Sequence, residues 1–193
     1  MPEVLHPRDA VSPVPLTAHG VTLRAGAMRE SVSLAAFRGQ ADTLRAFVGK
    51  EFDVDLPDTP RSVENADGIT FIWAGPDQWL LRAAPGTDLL TRLSPCAAFA
   101  ALTAQGDSRT ALELRGPGAR AIAAKLVPVD LHPRAFAAGD VALTLAGHIA
   151  VILRQVDDTP CYEFLVFRSL AQSLHHELHT AMLGGIPQAD RIS

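Results

Sequence analysis

Residues 68–83 read GITFIWAGPDQWLLRA, and this stretch decides the fold. Aromatic and β-branched side chains (Ile69, Thr70, Phe71, Ile72, Trp73) lead into a Gly75-Pro76-Asp77 break, and Trp79, Leu80 and Leu81 follow it. Two short apolar strands around a turn-forming triplet make a β-hairpin. The hairpin holds both tryptophans of the chain, Trp73 and Trp79. Rings of that size stabilise most when buried in a core or at the centre of an interface. Hairpin core and partner contact are therefore the two readings of this segment.

Working outward, SVSLAAF (31–37) reads as a strand, and ADTLRAFVG (41–49) as a helix with Leu44, Phe47 and Val48 on one face and Gly49 as its stop. A loop, DLPDTPRSVENAD (55–67), leads to the hairpin; beyond it lie a short helix, GTDLLTRLS (86–94), and a strand, AAFAALTA (97–104). The order βαββαβ is that of a ferredoxin-like unit. A second half begins in the same way, with strand TALELRG (110–116) and helix GPGARAIAAKLV (116–127), Pro117 near its first turn. Loop PVDLHPRAFAAG (128–139) and strands DVALTLAG (140–147), HIAVILRQV (148–156) and CYEFLVFR (161–168) follow. An amphipathic helix (169–183) closes the half, opened by Ser169 as N-cap and stopped at Gly184-Gly185.

The halves echo one another: FRGQADTLRAF then DVDLP in the first, LRGPGARAIAA then PVDLHP in the second. The expected fold is α+β, with pseudo-duplicated ferredoxin-like halves at 31–106 and 107–185 forming one domain. Residues 1–30 are rich in Pro, small and polar side chains and read as an extended N-terminal arm that orders against a partner. Residues 186–193 read as a C-terminal tail.

With 193 residues, 48% hydrophobic and 20% charged, the chain can bury a core without staples. A formal charge of −4 gives no footprint for a phosphate backbone, so nucleic acid is not an expected partner. Cys96 and Cys161 form no CxxC pair and read as buried thiols in a reducing compartment, the cytoplasm. The N-terminus lacks the pattern of a secretory signal, and the most apolar stretch (141–153) is too short to cross a bilayer.

No catalytic set assembles from the residues. His175-His176-Glu177-Leu178-His179 misses the zincin pattern because position 180 is Thr180; His175 and His179 share a helical face with no third metal ligand nearby. No GxSxG surrounds a serine. Gly116-Pro117-Gly118 lacks the rest of a phosphate loop and reads as a tight turn. Asp130 and His132 lie two apart and are read as a turn in preference to an acid–base pair. Arg168 stands at a strand exit where it can meet a carboxylate, and Ser169 reads as a cap. The residues alone thus point to no catalytic, cofactor-binding or metal site.

Together, IWAGPDQWLLR (72–82), LELRGPGARAIAAKLVPVDLHPRAFAAGDVALTLAGHIAVILRQVDD (112–158) and YEFLVFRSLAQSLHHEL (162–178) resemble the gamma subunit of heterotetrameric sarcosine oxidase. The resemblance rests on Trp73, Gly75, Pro76, Asp77 and Trp79, on Gly116-Pro117, on Asp130 and His132, and on Arg168-Ser169, and it spans residues 31–182. That family resembles the folate-binding domain of the glycine cleavage T protein, so a T-protein-like fold is implied. One segment departs: GDSRTALEL (106–114) keeps Asp107, Ser108 and Arg109 but lacks the family's histidine. The resemblance implies a complex that oxidatively demethylates sarcosine to glycine and releases hydrogen peroxide. It further implies alpha, beta and delta subunits as partners, and FAD, FMN, NAD and tetrahydrofolate held outside this chain, whose own role is assembly. The alternatives are a stand-alone folate-binding one-carbon transferase and the matching subunit of another N-methyl amino acid oxidase or dehydrogenase. An assembly role implies an exposed apolar patch, expected at Trp73, at Trp79, or at residues 11–16 and 21–23 of the arm.

Overall fold

The computed structural model describes residues 9–185; the expected tail and the first eight residues of the expected arm lie outside them. In chain order the elements are β1 (Leu16–Ala18), β2 (Val21–Ala25), β3 (Glu30–Ala36), α1 (Ala41–Phe52), β4 (Ser62–Glu64), β5 (Thr70–Gly75), β6 (Gln78–Ala83), α2 (Leu89–Leu93), β7 (Ala100–Ala104), β8 (Arg109–Arg115), α3 (Ala119–Ala123), β9 (Val141–Ala146), β10 (Ile149–Asp157), β11 (Cys161–Phe167) and α4 (Ala171–Leu183). Two antiparallel sheets form among them, ordered β4-β5-β6-β3-β7 and β1-β2-β8-β11-β10-β9.

The smaller sheet is the expected ferredoxin-like unit: its fourth strand, β7, and its third, β6, flank the first, β3, and β5 lies beyond β6. Ser62–Glu64, read as loop, adds an edge strand beside β5. The larger sheet repeats the plan, with β8, β10 and β11 in the places of β3, β5 and β6, and β9 at the edge where β4 stands. Its counterpart of β7 comes from the opposite end of the chain: β2 pairs antiparallel with β8, from Thr22↔Arg115 to Ala25↔Leu112.

The reading of residues 1–30 as an arm is thus corrected from Leu16 onward. Val21, Leu23 and Ala25 alternate with Thr22 and Arg24, and His19-Gly20 turns the chain with φ of 50° and 72°. That is a short hairpin, and it ties to β8 because β8 otherwise presents an unpaired edge. Val11, Val21 and Leu23 are buried in the chain's own core. The close approach explains a glycine: a Cβ at Gly116, where φ is 133°, would collide with the carbonyl oxygen of Gly20.

Strand alternation divides the side chains into layers. Trp79, Leu81, Leu34 and Phe71 of the smaller sheet pack against Leu44, Val48 and Phe52 of α1 and Leu89 and Leu93 of α2. Leu112, Leu114, Tyr162 and Phe164 of the larger sheet pack against Ile122 of α3 and Leu174, Leu178 and Met182 of α4. The opposite faces meet: Ile72 and Leu80 of one sheet contact Val141, Ile152, Leu165 and Ala111 of the other. The order is helices, sheet, sheet, helices.

Candidate contact surface

The layer between the sheets changes character along its length. On β9, β10 and β11 the facing positions run Val141-Leu143-Leu145, Arg154-Ile152-Ala150 and Glu163-Leu165-Phe167, in register across the strands. Ile72 and Leu80 cover the middle of this layer. The cover ends where β5 gives out at Gly75 and the chain turns at Pro76-Asp77. Beyond that point Leu143 and Leu145 are each 47% exposed and Phe167 is 43% exposed. With Ala74, Ala150, Ile152 and Arg109 they line an open apolar groove of about 420 Å³. The Arg109 guanidinium lies 4.2 Å from the centroid of the Phe167 ring, and burial pulls its pKa down. An apolar face on one side of a sheet, rimmed by an arginine, has the make-up of a contact surface.

The residues singled out by the sequence fall in three places. The tryptophans face each other across the β5–β6 hairpin. Trp79 is 1% exposed, donates its indole N–H to the Pro57 carbonyl at 2.8 Å, and carries the Arg45 guanidinium 5.2 Å above its ring. It is hairpin core, and the patch expected at Trp79 and at residues 21–23 is corrected accordingly. Trp73 is half-buried. Asp77, at φ 55°, and Gly75, at φ 141°, shape the turn, and the Asp77 carbonyl accepts the Ala36 N–H at 3.0 Å.

Pro117, Asp130 and His132 converge on a second groove, of about 640 Å³, with His19, Arg120 and Leu131. Asp130 accepts the backbone N–H of His132 at 2.9 Å, and His132 Nδ1 accepts that of Arg134 at 3.2 Å. Both side chains are thus held as turn acceptors. Gly116 and Gly118 build the turn into α3, which is one short helix, Ala119–Ala123, where a longer one is expected. Arg168 borders a small cavity with Asp107 and Arg109, away from that groove. Ser169 lies in a 3-10 turn, Arg168–Leu170, and α4 begins at Ala171 with no side-chain cap. The N-cap reading of Ser169 is corrected.

His175 has a buried Nε2 with no hydrogen-bond partner among the described residues, beside Asp9, Val11 and Gln172. Burial, helped by His179 and His176, lowers its pKa. Among the described residues no group of His, Cys, Asp and Glu is placed to hold a metal ion, and no helix is long and apolar enough to cross a membrane. Burial raises the Cys96 thiol and pushes Cys161 up to about 11, so at neutral pH both are protonated and poorly nucleophilic.

The charged end of the layer escaped the sequence reading. Glu163, in the middle of apolar β11, accepts Arg82 Nη1 at 2.7 Å and Arg154 Nε at 2.5 Å. Arg82 comes from the smaller sheet, so this buried bridge crosses between the sheets. A lone glutamate inside CYEFLVF and an arginine next to Leu80-Leu81 were the signals.

The fold is a doubled α+β unit with a partly exposed apolar face on β9–β11. Comparisons with known proteins give the particular family. Residues 38–183 match the model of the sarcosine oxidase, gamma subunit family, and the chain belongs to it. It is 32% identical over 151 residues to the sarcosine oxidase subunit gamma of Arthrobacter sp, covering 76% of this chain and 72% of that one. To the same subunit of Corynebacterium sp. (strain P-1) it is 32% identical over 178 residues, covering 86% and 82%. Among solved structures it is similar to a chain of the heterotetrameric sarcosine oxidase from Corynebacterium sp. U-96, with a TM-score of 0.78, 27% identity, and 88% and 87% coverage. The glycine cleavage system aminomethyltransferase T from Bartonella henselae shares the fold, at a TM-score of 0.62 and 15% identity over 84% of this chain and 46% of that one.

Proposed function

We propose that the chain is the gamma subunit of a heterotetrameric sarcosine oxidase that converts sarcosine to glycine. Its role is assembly, contributed through the apolar face of β9–β11. Family membership and the likeness to a chain of the solved heterotetramer support this reading. The observation that carries the assembly role is the uncovered row Leu143, Leu145 and Phe167. Side chains of this kind on a rigid sheet are what a partner's surface buries. Its partners are the alpha, beta and delta subunits, and the chain works in the cytoplasm. The flavins FAD and FMN, the NAD and the tetrahydrofolate belong to the larger subunits, and this chain supplies no catalytic group. The choice among N-methyl substrates accordingly lies with the flavin-bearing chains.

Co-expression with the other subunits tests the reading. Leu145→Asp and Phe167→Asp are expected to leave the melting temperature of the isolated chain within a degree or two, since both sites are exposed, and to strip it from the purified complex. Retention of both variants at wild-type stoichiometry overturns the placement of the interface. Tight stoichiometric binding of tetrahydrofolate to the isolated chain would favour a one-carbon transferase instead.

A further inference from the structure

We propose that the charged end of the layer between the sheets is a binding site for a small oxyanion, carboxylate or phosphate. The chamber there has a volume of about 230 Å³, and Arg24, Arg29, Arg82, Arg115 and Arg154 all line it. A water occupies roughly 30 Å³ in the liquid, so an anion of a few non-hydrogen atoms fits with its solvation partly replaced.

The charges of this region are mostly matched, with guanidinium donors left over. Arg24 holds Glu113 at 2.6 Å. Arg115 holds Asp157 at 2.7 Å. Glu64 accepts the Thr70 hydroxyl at 3.0 Å. Glu163 spends one oxygen on Arg82 and the other on Arg154, so two guanidinium groups share a single carboxylate, with side chains only 9% and 13% exposed. Arg82 uses only Nη1 and Arg154 only Nε in those bonds. Their remaining nitrogens have no acceptor among the described residues, and neither does any nitrogen of Arg29, which is half-buried at the chamber wall.

The Arg82 and Arg154 side chains are mostly buried, and guanidinium groups so placed, with donors left over, attract an oxyanion more strongly than the same groups at an open surface. Their planar forks match carboxylate and phosphate oxygens. Arg82 and Arg29 also line the adjoining small cavity with Arg109 and Arg168, so the arginine lining continues past Arg82, Arg154 and Glu163. Asp9 and Asp107, which border that cavity, and Glu64 and Glu113 set the opposing charge. An anion bonded to Arg29, Arg82 and Arg154 would complete the donors that Glu163 leaves unmet.

The test uses the full chain, with thermal melts and calorimetry against malonate, inorganic phosphate and sodium chloride at equal ionic strength. The expected result is a saturable rise in melting temperature for malonate or phosphate beyond that of chloride, with one ligand per chain. Tighter binding of malonate identifies a carboxylate site, and tighter binding of phosphate a phosphate site. Arg29→Ala removes a side chain that makes no bond among the described residues, and it is expected to weaken the binding by about tenfold without moving the unliganded melt. Arg154→Gln is expected to abolish it. A rise no larger than that given by chloride overturns the proposal, as does saturable binding unchanged in both variants. Because the readout is on the chain alone, neither result bears on whether the chain assembles with an oxidase.

Discussion

Trp79 shows how one side chain can be assigned by what surrounds it. Pro57, Arg45 and the α1 face enclose its ring on the helix side of the smaller sheet. Trp79→Ala should therefore lose about 3–5 kcal/mol, read as a lower midpoint in urea, while any chain that folds keeps its contact face. Glu163 makes a second prediction. Burial alone would raise its carboxyl, but Arg82 and Arg154 outweigh burial and hold it below the usual carboxylate range. A group depressed on folding stabilises above its unfolded pKa, here near 4.5, and that stability is lost as pH falls through the lower folded value. The wild-type midpoint should drop below about pH 4.5. Glu163→Gln, which strands two guanidinium groups, should cost about 3–5 kcal/mol at neutral pH and flatten the acid limb; an unchanged acid limb would refute the role. The tryptophan pair was visible in the sequence, but its face was not, because Trp73 and Trp79 both sit in continuous apolar runs where alternation is hidden. Glu163 was legible in principle as a charge within CYEFLVF, yet its partner Arg82 lies 81 positions away.

Helix α4 carries a pH response of the same sign in a higher pH window. The Nε2 of His175 is buried with no hydrogen-bond partner among the described residues, and burial, then His179 and His176, depress its pKa. The unfolded chain therefore binds a proton first, so stability falls as pH drops through about 6.5, the unfolded value. His175→Gln should remove the dependence between about pH 5 and 7, measured by melts across that range. The hairpin β1–β2 gives the next prediction. Because β2 completes the larger sheet, deleting residues 9–26 should not trim an appendage. It should uncover Leu112 and Leu114 and leave a chain with lost near-ultraviolet dichroism and poor solubility; a truncated chain that keeps the wild-type spectrum would sink this account. The elements of the first half other than β4 were legible because each has a clear period or a Gly-Pro-Asp stop. β2 was not, since its alternation lasts five residues between proline-rich and glycine-rich flanks. β4, at three residues, is too short to carry a period, and the Ser169 start of α4 failed because a 3-10 turn intervenes.

At the scale of the molecule, the doubled plan was legible from the echo of Arg-Gly turn, helix and Asp-Leu loop, because local punctuation repeats with the fold. The open apolar face was not, because Leu143 and Leu145 look like core in VALTLAG, and only the early end of the β5–β6 hairpin leaves them bare. Unfolding should be a single transition, since Ile72 and Leu80 tie the sheets through a shared dry layer; two resolved calorimetric peaks would contradict it. The borrowed strand also sets a timetable. Arg24 and its partner Glu113 are separated by 89 positions, so at translation rates of about 5–20 residues per second β2 emerges roughly 5–20 s before the strand it pairs with. The smaller sheet has all its strands by then and can close first. Val21 and Leu23 spend that interval on the growing polypeptide with only the three-residue β1 beside them, which makes this hairpin the natural footing for a ribosome-associated chaperone.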